Sequence, residues 1–162
     1  MRGSPVQVRP VAPKKVLNMK ISAKGRYAVR IMTELVGHND YVSVSDIAKS
    51  QGKSIKYTEQ IVSILTKAKL LKSLRGNSGG YMLSVDPKVC TVADILTATK
   101  DMPEVVPCLK IQKKCPRMSS CETIGCWETL MKLVYDYLTK VTVQDLIDKT
   151  YIRKLGNWKK FI

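Results

Sequence analysis

The order of caps and glycines between residues 43 and 81 constrains this chain more than any other feature. Ser43-Val44-Ser45-Asp46 has the form of a capping box and opens a short helix through Gln51. Gly52 closes that helix and makes the turn, and Ser54 caps a further helix over 55–69. On this helix Ile61, Ile64, Leu65 and Ala68 form the expected buried face, while Lys56, Glu59, Gln60, Ser63 and Lys67 share the outward side. Two short strands follow, near 71–75 and 81–85, joined by the glycine-rich loop 76–80. A short helix, a glycine turn, a helix with polar residues early on its exposed side and then a hairpin describe a winged helix–turn–helix. The predicted fold class is mainly α with a small β wing.

That arrangement assigns chemistry to individual side chains. Glu59 and Gln60 carry groups that read base edges in a major groove. Ser54, Lys56 and Tyr57 stand near the helix N-terminus, where hydroxyls, charge and the helix dipole hold phosphates. Arg75, Asn77 and Ser78 sit in the wing, within reach of a minor groove or backbone, and Gly79 and Gly80 let its tip approach closely. The expected partner is a double-stranded DNA operator. Charge agrees: the 162 residues carry a formal +15, and +11 once the four cations of residues 1–18 are set aside. Such a field favours a polyanion, and it argues against the wing serving only as a protein-interaction module.

The remainder divides in order. Residues 1–18 have no hydrophobic period and are expected to be a disordered extension ahead of a natural start at Met19. The DNA-binding domain is expected over 19–99, beginning with a helix over 23–38 capped by Ser22 and carrying Tyr27, Ala28, Ile31, Met32, Leu35 and Val36 on its buried stripe. Thr91 starts a fourth helix with Val92, Ile95 and Leu96. A cysteine loop is expected over 100–120, then a long helix from about 121 to 140, a short one capped by Thr142 within 121–150, and a basic tail over 151–162. Trp127, Leu130, Val134 and Leu138 form an apolar stripe on the long helix, from which a homodimer is expected. No run approaches the ~18 apolar residues of a membrane span, so no membrane partner is expected and the setting is cytoplasmic and reducing.

In that setting clustered cysteines are metal ligands or redox thiols more often than disulfides. Cys108-x6-Cys115-x5-Cys121 offers soft thiolates at short spacing on a loop, as an iron–sulfur cluster needs. Zinc would want CxxC pairs or histidines, and the one histidine, His38, is distant in sequence. A thiol switch needs only two accessible cysteines, with Lys110, Lys113, Lys114 and Arg117 nearby to depress their pKa. Cys121 and Cys126, five apart on one helix, would point about 140° apart. Cys126 is therefore expected to pack beside Trp127, and Cys90 to lie in the core.

The run from Met19 to Arg30, the Tyr57-x-Glu59-Gln60 helix, the Arg75-Gly-x-x-Gly-Gly-Tyr81 wing, three cysteines and Trp127 together resemble the IscR/NsrR/CymR-type (Rrf-two) family of bacterial transcription regulators, from Met19 to about Lys149. The resemblance implies a dimeric winged-helix repressor or activator on a pseudo-palindromic operator, not an enzyme. It also implies an iron–sulfur cluster on Cys108, Cys115 and Cys121 that senses iron–sulfur status, nitric oxide or redox state. A 2Fe–2S cluster is expected over a 4Fe–4S one. The fourth-ligand histidine of some members is Ile124 here, and the first-helix aspartate of others is Arg26. Relatives without the cysteines answer to a metabolic partner enzyme, so a cluster-free regulator worked by thiol oxidation or a partner protein is the alternative. An electron-transfer iron–sulfur protein and a zinc-stabilised nucleic-acid-binding protein are the readings of other classes.

Overall fold

A computed structural model describes residues 20–76, 79–104, 106, 109 and 115–151. The expectations for 1–18, Asn77, Ser78, Cys108 and most of the basic tail lie outside these residues. The elements run α1 (Ala23–Leu35), α2 (Val44–Gln51), α3 (Ile55–Lys67), β1 (Leu71–Leu74), β2 (Gly80–Leu83), α4 (Val92–Ala98), a 3-10 turn (Met118–Ser120), α5 (Ile124–Leu138) and α6 (Val143–Ile147). The chain is mainly helical with a two-stranded antiparallel wing, as its sequence predicts.

Hydroxyl side chains start most of these helices. Ser22, Ser43, Ser54, Thr91 and Thr142 each accept a backbone N–H from the first turn, and Thr91 and Thr142 form full capping boxes with Asp94 and Asp145. Helix ends are equally regular. Lys53, Leu70, Asp101 and Thr150 donate back to Ala48, Leu65, Leu96 and Asp145, five residues earlier. In each case the preceding residue (Gly52, Lys69, Lys100 or Lys149) is left-handed.

Helix boundaries differ from expectation in α1, α3 and α5. α1 stops at Leu35 rather than 38, because Gly37 and His38 tighten onto the carbonyls of Glu34 and Leu35. α3 stops at Lys67 rather than 69, since Lys69 has turned left-handed. α5 begins at Ile124, not Cys121, so Cys121 and Cys126 do not share a helix and no fixed helical angle relates them. The buried face of α3 is also rotated: Thr58, Ile61, Val62 and Leu65 are covered, Ile64 is only half-buried and Ala68 is exposed.

One core lies among α1, α2, α3 and the root of the wing, with Ala28, Ile31, Met32, Leu35, Ile47, Ile61 and Leu65 at its centre. A neighbouring cluster joins Val92, Ala93 and Leu96 of α4 to Leu138 and Val141. There Val92 and Val143 donate to the Val141 and Cys90 carbonyls, each at 2.9 Å. The segment after α5 therefore returns to the main body. Of the 15 residues of α5, Leu138 is the one that is buried. Leu138, expected on an intermolecular stripe, is covered instead by the chain's own core, and Val134 packs partly against the same cluster.

Candidate nucleic-acid interface and cysteine segment

The outward side of α3 is free. Lys56, Glu59, Gln60, Ser63 and Lys67 are all exposed, as is Ile55 in the first turn. Ser54 accepts the Tyr57 N–H at 3.3 Å as the N-cap, which fixes where α3 starts. Tyr57 is half-buried, its ring set edge-on against Tyr27 with centroids 6.1 Å apart at 87°. Its aromatic face is thus committed to packing α3 against α1.

In the wing Arg75 is exposed. Leu71 pairs with Leu83 and Leu74 with Gly80, and Val42 adds a bridge on the far side of β2 through Tyr81. That bridge gives the glycines an internal purpose. A Cβ at Gly80 would lie 2.2 Å from the Val42 carbonyl oxygen, and one at Gly79 2.3 Å from that of Leu74. The hairpin itself demands them, whatever the tip approaches.

Side chains the sequence reading assigned no binding role gather beside α3. The Arg30 guanidinium stands 5.3 Å and the Lys53 ammonium 4.7 Å from the Tyr27 ring centroid. Lys53 beside the phenol, helped by its charge and those of Arg30 and Arg26, holds the Tyr27 pKa below its ordinary value against a smaller effect of burial. Lys72 lies 6.0 Å from the Tyr41 centroid near the wing. The i, i+3 spacing of Tyr27 and Arg30 on a helix was the available signal. The approach of Lys53 is tertiary.

The cysteines separate into two environments. Cys90 is buried at 4% exposure, as expected, and burial with the Asp94 charge pushes its thiol up to about 11. Cys115 and Cys121 are half-exposed in the segment leading into α5. The Cys121 sulfur is 3.4 Å from the Thr123 hydroxyl, and that contact, followed by backbone N–H groups of Thr123 and Ile124, lowers its pKa. Cys126 is exposed rather than packed beside Trp127, on an opening stretch of α5 in which no residue is buried. Among the described residues no group of three or more His, Cys, Asp or Glu is placed to hold a metal ion; Cys108 falls outside them. The donor chemistry of Cys115 and Cys121, accessible thiols of which one is biased toward thiolate, suits a soft metal centre.

Between α1, α4 and the end of α5 an apolar cleft of about 280 Å³ stays open, lined by Ile21, Val29, Leu96, Tyr137 and Leu146 with the stems of Arg26 and Arg30. No helix among the described residues is long and apolar enough to cross a membrane.

Known proteins share this arrangement. Residues 21–149 match the Rrf2 family model, described as an iron-dependent transcriptional regulator. The protein rrf2 of Nitratidesulfovibrio vulgaris is 34% identical over 131 residues, covering 80% of this chain and 87% of its own. The structure of CymR, the global cysteine regulator of B. subtilis, is similar with a TM-score of 0.65 and 34% identity, covering 80% of this chain and 97% of that one. T. potens IscR gives a TM-score of 0.62 at 33% identity, covering 81% and 88%. With the helix–turn–helix, the wing and these relatives in agreement, the chain belongs to the Rrf2 family of DNA-binding transcriptional regulators.

Proposed function

We propose that this protein is a dimeric, cytoplasmic transcription regulator whose operator affinity is set by an iron–sulfur cluster on Cys108, Cys115 and Cys121. Glu59 and Gln60 read base edges, Ser54, Lys56 and Tyr57 serve the phosphates, and Arg75, Asn77 and Ser78 act from the wing. The carrying observation is the seat of Cys121 at the start of α5, where the Thr123 hydroxyl 3.4 Å from its sulfur, followed by the Thr123 and Ile124 N–H groups, lowers its pKa. A ligand on the cysteines therefore acts at the root of the helix that also carries the uncovered apolar residues. Leu130, Leu133 and Tyr135 are 38%, 62% and 54% exposed. A second copy covering α5 would set two recognition helices about 34–36 Å apart. When bound, the cluster supplies a centre sensitive to oxygen and nitric oxide. The chain's part is to hold it and to favour one separation of the α3 helices, which requires different affinities in the two arrangements.

The half-exposure of both Cys115 and Cys121 supports one competing reading, a regulator worked by thiol oxidation. Anaerobic reconstitution separates the two. The proposal expects visible colour that is lost in Cys115→Ala and Cys121→Ala and kept in Cys90→Ala, with operator affinity following the colour. A colourless protein whose DNA affinity answers to peroxide and thiol reductant supports the second reading and rejects the first.

A further inference from the structure

Arg30 on α1 and Lys53 in the turn before α3 converge on one aromatic ring from different elements. Neither takes part in an ion pair among the described residues, although both are exposed. The acid one turn along α1, Glu34, is already committed to Ser50 and Gln51 of α2. Two cations that meet the same ring without a carboxylate partner among the described residues leave an anion favoured beside them. Tyr27 also ties the pair to α3. Its ring abuts Tyr57 in the first turn of α3, which registers the cluster to the positive end of a 13-residue helix.

We propose that Arg30, Lys53 and the Tyr27 hydroxyl form a clamp for one DNA backbone phosphate, so that α1 as well as α3 fixes the protein's register on the duplex. The clamp rests on the DNA-binding reading of α3. Arg30 and Lys53 neutralise the phosphate while Tyr27 donates its O–H to a phosphate oxygen. Such contacts carry no base information and act equally on every sequence.

The test uses the full chain and a mixed-sequence duplex, with binding followed by fluorescence anisotropy from about 50 to 200 mM KCl. The double variant Arg30→Gln/Lys53→Gln should flatten the dependence of log affinity on log salt by about 0.9 for the phosphate lost. Lys140→Gln, which removes an exposed cation beyond the end of α5, should leave the slope unchanged. Tyr27→Phe keeps the ring against Tyr57 and should weaken binding about tenfold at the wild-type slope. A wild-type slope in the double variant, or an equal flattening by Lys140→Gln, overturns the clamp while DNA binding stands. Unchanged affinity in Tyr27→Phe removes Tyr27 from it. Wild-type protein that binds no duplex at any salt overturns both the clamp and the reading beneath it.

Discussion

Val42 and Tyr81 exchange both backbone hydrogen bonds, at 2.9 and 2.8 Å, and so attach the segment before α2 to the far edge of the wing. The exchange brings the Val42 carbonyl over Gly80, where a Cβ would meet it at 2.2 Å. Gly80→Ala must therefore part the wing from the helix–turn–helix or lose the bridge. A cost of about 1–3 kcal/mol is expected in urea unfolding, with weaker DNA binding through a displaced Arg75. A wild-type midpoint would show that the bridge gives way freely.

Lys100 ends α4 at φ 57 without a glycine's freedom. Lys100→Gly should stabilise the fold by about 0.5–1 kcal/mol, the left-handed penalty less the entropy glycine adds to the unfolded chain. The urea midpoint should rise with its slope unchanged.

Cys90 supplies a pH dependence of defined sign. Its thiol moves from an ordinary 9.0 to about 11 on folding. Below pH 9 both states hold the proton and nothing changes. Between about 9 and 11 the unfolded chain releases it first, so stability falls as pH rises. Subtracting the same titration of Cys90→Ala isolates the effect from lysines and tyrosines; identical slopes would count against it.

If α5 pairs with a second copy, Leu130→Asp should convert that dimer to a monomer, since Leu130 is 38% exposed on a helix whose one buried residue is Leu138. A 15-residue helix is marginal without a partner surface. Self-association should weaken by on the order of 2 kcal/mol or more, read by sedimentation alongside helicity. A dimer of unchanged strength would place the interface elsewhere.

Gln60→Ala and Glu59→Ala should change sequence preference, each by on the order of 1–3 kcal/mol of discrimination. Lys56→Ala should weaken all sequences alike and flatten the salt dependence. Equal losses on operator and random DNA for all three would remove α3 as the reader.

What the sequence determined by itself was local. Ser43, Ser54, Thr91 and Thr142 start helices because a hydroxyl satisfies its neighbours' N–H groups wherever the fold is placed. Gly52 was readable as a stop because glycine turns left-handed without a steric cost, whereas Lys69 does the same with no such signature and hid the end of α3. Tertiary structure alone decided how those helices share their faces. Leu138 turned inward because the segment from Val141 to Val143 returns to α4, and Gly80 is required because Val42 passes over it. Lys53 met Tyr27 because α3 packs on α1. Periodicity along one element shows that a face is apolar or polar. Which partner covers it is set by distant residues, and no window of sequence contains them.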